Sequence, residues 1–124
     1  MINPPKNKNS TRYYSDLHEK SVCKALNANQ NSNSGAGKFN KGDVVQQDAS
    51  LLIECKTAMS EKTSFSIKKD WIDKNNKESK EMRLDNSCVC FNFGPNTDNY
   101  YVISEKLMKC LVDYLTELNS ELPF

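Results

Sequence analysis

Apolar residues along this chain gather into short patterned runs separated by long polar stretches. Leu17, Val22, Ala25 and Leu26 fall on one helical stripe, which predicts a first helix with Ser15 as N-cap and Asp16 and Glu19 in its opening turns. Residues 27–42 are rich in Asn, Ser and Gly and read as a loop. Two short strands follow over 43–47 and 51–57, joined by the tight turn Asp48-Ala49-Ser50, so they form a hairpin. Residues 64–83 hold Ile67, Trp71 and Ile72 within one face, which predicts an amphipathic helix packed through its first half and solvated from Lys74 onward. A second strand pair is expected at 87–93 and 100–103 around the turn cluster Gly94-Pro95-Asn96. Ser104 then caps a last helix striped by Leu107, Met108, Leu111, Val112, Leu115 and Leu118. The pattern is an α/β domain of order α-β-β-α-β-β-α: residues 15–124 behind a flexible basic arm, 1–14, that carries Pro4, Pro5, Lys6, Lys8 and Arg12.

Composition narrows the picture. A chain of 124 residues is one domain in size, and a hydrophobic fraction of 37% implies a modest core among polar loops. Seventeen basic against sixteen acidic side chains leave a net charge of +1, so any affinity for nucleic acid must come from local placement of charge. Five cysteines without a CxxC pair, beside the lone His18, exclude the usual zinc arrangements and read as reduced, buried thiols. Cys88 and Cys90 alternate with Val89 and Phe91 and fill a core; His18 is expected at the surface. No apolar run reaches the length of a signal peptide or a membrane span, so the expected location is the cytoplasm, or the host cytoplasm for a viral protein, with no membrane partner.

Candidate chemistry sits on the hairpin. Side chains alternate along a strand, so Glu54 and Lys56 share one face while Ile53 and Cys55 share the other. An acid and a base at the end of the buried run Leu51-Leu52-Ile53 are costly to desolvate unless a cation and a phosphate compensate. On an exposed strand the same pair would be an ordinary surface ion pair. Asp43, at the start of the neighbouring strand, can converge with Glu54. Two carboxylates, the backbone carbonyl of Cys55 and waters make a ligand set that suits Mg²⁺. Such a centre supports phosphodiester hydrolysis, with Lys56 beside the attacking water or the charge that builds on the phosphate.

Taken together, Glu19, the loop Ser34-Gly35-Ala36, Gly42-Asp43-Val44, Ile53-Glu54-Cys55-Lys56-Thr57 and Ser64-Phe65-Ser66-Ile67-Lys68-Lys69 resemble the Holliday junction resolvase-like branch of the PD-(D/E)xK nucleases, known from archaea and phages. The resemblance covers residues 19–71, with Gly42 standing where the family name implies proline. It implies a restriction-endonuclease-like core with a mixed central sheet flanked by helices. It implies that Asp43 and Glu54 bind Mg²⁺ or Mn²⁺ with help from Glu19, and that Lys56 acts on the attacking water. Ser34 and Gly35 would approach the scissile region, and Lys68 or Lys69, the latter favoured over Lys74, would contact a phosphate. The expected activity is cleavage of branched DNA in recombination or phage replication, by a homodimer that makes two symmetric cuts. A nuclease of other specificity, nicking or single-strand, and a non-catalytic binding or interaction module on the same fold both remain open.

Overall fold

The computed structural model describes residues 11–31 and 43–121. Eight elements follow one another: α1 (Thr11–Leu26), β1 (Asn29–Gln30), β2 (Val44–Gln46), β3 (Leu51–Lys56), α2 (Lys69–Glu81), β4 (Asn86–Phe91), β5 (Tyr100–Val102) and α3 (Glu105–Ser120). The five strands form one mixed sheet in chain order, antiparallel except for the β3 to β4 step, which α2 bridges as a parallel crossover.

The alternation of β3 divides the interior in two. Ile53 and Cys55 point to the α1 side, where they pack with Val22, Val44, Cys88 and Cys90. Leu52 points to the opposite side, where it joins Val45 and Leu84. Each apolar strand residue therefore buries against a different helix layer, and Leu52, Ile53, Val22 and Val44 are wholly enclosed. Cys88 and Cys90 are core thiols, as their alternation indicates, and Cys55 is buried with them; Cys23 is only half-buried and Cys110 is exposed, because it lies on a last helix of which no residue is buried.

Several elements depart from the expected pattern. The loop after α1 begins with a two-residue strand, β1, because Asn27 takes a left-handed conformation (φ 53°) and turns the chain back along β2. That extra strand changes the expected order. α1 begins at Thr11, so Ser15 lies inside the helix and residues 11–14 belong to the domain. Residues 1–10 lie outside the described residues. α2 starts at Lys69, and its second half is the one that packs: Asn75, Glu78 and Ser79 are buried while Ile72 is exposed. The Asn75 amide donates to the carbonyls of Leu52 (3.2 Å) and Cys88 (2.8 Å), so a polar clamp rather than an apolar stripe fastens α2 to β3 and β4. His18 is buried rather than superficial, because its ring closes the α1 layer with Nε2 3.5 Å from Cys90 Sγ.

The second strand pair and the cap of α3 match expectation. The Ser104 hydroxyl accepts from the Leu107 amide at 3.1 Å. Gly94, in the turn between β4 and β5, has φ +147°, and a Cβ there would stand 2.9 Å from Glu61 Cα. Only glycine lets the 58–68 segment cross this close; the crossing is fastened by the Lys62 amide donating to Phe93 O at 2.7 Å.

Candidate active site

Val44 pairs with Ile53 at the end of the β2–β3 ladder, and Asp43, the residue just before β2, stands where that ladder ends, close enough to Glu54 for the two charges to act on each other. The Asp43 amide donates to Ile53 O at 3.2 Å, and its Oδ2 accepts from the Cys55 amide at 2.8 Å. These two bonds fix the carboxylate where the strands meet. Two residues beyond Glu54 on the same face, Lys56 places Nζ 3.4 Å from Glu54 Oε2 and 4.8 Å from the centre of the Trp71 ring. An acid pair, a base and an aromatic wall thus converge at the end of β3.

The electrostatics show what this convergence costs. Burial, and then the neighbouring Asp43 charge, push the Glu54 carboxyl up to about 7. Burial also raises Asp43, opposed by the Cys55 amide and by the Lys56 and Lys74 charges. Glu19, on α1, is likewise pushed up to about 7, first by burial, with Asp43, Asp16 and Glu54 adding repulsion. Three carboxylates from three elements therefore feel one another, and the nearby cations do not neutralise them.

Glu19 is held at the margin. The Gln30 side chain donates to both Glu19 Oε1 and Asp16 Oδ1, each at 3.0 Å, and so ties α1 to β1. Glu19, Asp16, Gln30 and Asp43 line an open cleft of about 580 Å³ that Arg12 and Tyr13 also border, giving the carboxylates a route to solvent. Among the described residues, no three His, Cys, Asp or Glu side chains stand in ready metal-holding geometry. The donor chemistry nonetheless fits a hard divalent cation, since Asp43, Glu54 and Glu19 offer only oxygen and burial outweighs the opposing Lys56 and Lys74 charges at the first two.

The cations are arranged differently from expectation. Lys69 is fully exposed and engaged by Asp73 at 2.7 Å, because its position on the first turn of α2 directs it along the helix rather than toward the sheet. Lys74, one turn further, is the α2 lysine whose charge acts on both Asp43 and Glu54; it also pairs with the buried Glu78 at 3.8 Å. Lys68 lies 5.8 Å from the Trp71 ring centre. Ser34 and Gly35 lie outside the described residues. Glu78 is a site neighbour that sequence reasoning passed over, with the i, i+4 spacing of Lys74 and Glu78 as the available signal. Trp71, expected on the packed face of its helix, is instead a half-buried ring beneath Lys56.

Beyond Trp71 the wall continues. Phe65 stacks on Phe91 at 5.2 Å, and Phe91 and Phe93 both contact Tyr100. Lys56, Phe91 and Tyr100 are register partners on β3, β4 and β5, so this row runs across the sheet from the base to the free edge.

Compared with family models, curated proteins and solved structures, the chain matches none.

Proposed function

We propose that this protein is a metal-dependent endonuclease hydrolysing DNA phosphodiester bonds, a PD-(D/E)xK enzyme with a restriction-endonuclease-like core that selects branched DNA. The observation that carries the reading is the convergence of Asp43, held by the Cys55 amide, with Glu54 and Lys56 at the end of β3, both carboxyls driven up by burial. A purely structural Glu54–Lys56 ion pair would not call for a second carboxylate, Asp43, to be buried beside it.

In this reading Asp43, Glu54 and the Cys55 carbonyl hold Mg²⁺ or Mn²⁺, with Glu19 assisting from α1. The ion would acidify a water and offset charge on the phosphate. Asp43 is already locked by the Cys55 amide, so its carboxylate needs little reorganisation to bind. Lys56 is steadied by Glu54 and Trp71, and its ammonium donates to the attacking water or to a non-bridging phosphate oxygen. Lys68, and Lys74 in preference to Lys69, contact flanking phosphates, while the Ser34-Gly35 loop approaches the scissile bond. The cleft beside Asp43 admits the strand. Paired cuts across a four-way junction call for a homodimer. Work on recombination or replication intermediates, including those of a phage in its host's cytoplasm, fits that activity. No helix among the described residues is long and apolar enough to cross a membrane.

One observation favours a second specificity. The row of half-buried rings beside Lys56, with Tyr100 at its exposed end, can stack unpaired bases, which suits single-strand cleavage or nicking near a branch. The deciding experiment is Mg²⁺-dependent cutting of a labelled four-way junction beside duplex and single strand, with Glu54→Gln as control. Paired cuts in the junction support the resolvase reading, cuts only in single strand support the second, and no metal-dependent cutting of any substrate overturns both.

A further inference from the structure

Among the described residues α3 stands apart from the two packed layers: none of its residues is buried, and beyond its root at Leu107 it has no extensive packing against the sheet or another helix. Its apolar residues nonetheless follow a rule. Met108, Leu111, Leu115 and Leu118 recur at alternating spacings of three and four, which is the a/d seam of a two-stranded coiled coil. All four are open to solvent, at 52%, 44%, 56% and 41% exposure. A lone helix of 16 residues is marginal in water, so the seam needs a partner to hold its own helix together.

Charge decides which partner and in which sense. The first half of α3 carries Glu105, Lys106 and Lys109, and the second half carries Asp113 and Glu117 with Glu121 at the C-cap. A parallel pair would set one acidic half against the other, whereas an antiparallel pair sets each acidic half against a net basic one and also opposes the helix dipoles. We propose that α3 pairs antiparallel with α3 of a second copy of this chain about a two-fold axis, with Met108 facing Leu118 of the second copy and Leu111 facing Leu115. The end of each helix then passes the cleft of about 450 Å³ that Ile72, Val102, Ile103 and Leu107 line at the root of the other, which extends the contact beyond the seam. This surface is independent of whether Asp43 and Glu54 cut DNA, and its test does not use cleavage.

The test is disulfide mapping in a Cys110→Ser background, since Cys110 is an exposed native thiol. Bridging needs Cα atoms within about 7 Å. In the antiparallel pair, Met108→Cys in one copy lies about 15 Å along the axis from the same position in the other, ten residues at about 1.5 Å each. Neither Met108→Cys nor Leu118→Cys alone should cross-link, while an equal mixture of the two chains should form the mixed disulfide under mild oxidation. Light scattering should give a dimer in the micromolar range that Leu111→Glu or Leu115→Glu converts to monomer, with unchanged Trp71 fluorescence reporting an intact body. A self-disulfide of either single variant overturns the antiparallel arrangement. A monomer in the unsubstituted protein overturns the pairing altogether.

Discussion

The end of β3 and the surface of α3 invert the ordinary placement of side chains in opposite ways. At the first, three carboxylates are drawn inside without enough positive charge; at the second, a full leucine seam is left outside. Neither makes sense for a chain that serves only its own stability, because each forfeits free energy that a polar surface or a filled core would keep. The difference lies in what would relieve them. In the proposed function the carboxylates are relieved by a small hard cation and a phosphate; in the proposed pairing the seam is relieved by a matching surface. One region is read by chemistry and the other by assembly.

The largest expected effect breaks the first region alone. Asp43→Asn or Glu54→Gln should lower cleavage at least about 10³-fold while DNA binding survives, because phosphate contacts elsewhere supply most of the affinity. Single-turnover assays beside filter binding measure the two separately, and undiminished turnover in either variant removes the site assignment. Next in size is Lys56→Ala, expected to slow the chemical step by about 10²-fold with little change in affinity, as for a contact made mainly in the transition state. Weak binding with normal cleavage at saturation would reduce Lys56 to an anchor. Trp71→Leu should fall below both, since it removes only the ring that steadies the ammonium. In a Lys56→Ala background it should add almost nothing to the loss of rate.

A stability measurement sharpens the comparison further. The Glu54 and Glu19 carboxyls sit near 7 in the folded protein, above their ordinary value, so folding favours their protonated forms. That contribution is fully present below the ordinary carboxylate range and is lost as pH rises through about 7. Metal-free protein should therefore lose on the order of 1–3 kcal/mol between pH 5 and pH 8 at Glu54, which is largely shielded from solvent, and Glu54→Gln should flatten the slope. Thermal melts across that range check it, and Mg²⁺ should restore the loss at pH 8. A Glu54→Gln protein that melts many degrees lower at neutral pH would instead make the carboxylate a structural partner of Lys56. Leu115→Glu, by contrast, should leave this pH dependence untouched.

Much of this was legible in the residues because strand periodicity is rigid. Leu51-Leu52-Ile53 followed by Glu54 and Lys56 could place its acid and base on one face in only one way, and Asp43 followed from the hairpin. The apolar spacing of α3 was equally plain. α2 was harder, because Asn75, Ser79 and Glu78 pack it through hydrogen bonding and close approach, and hydrophobic pattern is blind to both. His18 misled for a similar reason: its burial depends on strand residues some seventy positions away. β1 escaped notice because two polar residues, Asn29 and Gln30, carry no strand pattern and are recruited only by the edge of β2.

The three thiols between α1 and the sheet carry a consequence of their own. Cys55, Cys88 and Cys90 are enclosed, and burial holds Cys88 up to about 12 and Cys90 up to about 11, so in the closed molecule they are both unreachable and protonated. Alkylation at these positions must wait for α1 to lift from the strands. Their rate of labelling then becomes a clock for the breathing of that layer, read by mass from unmodified protein without added probes. Cys110, exposed on α3, and the half-buried Cys23 are open to the reagent in the closed molecule, so they label ahead of the enclosed three and mark the start of the clock.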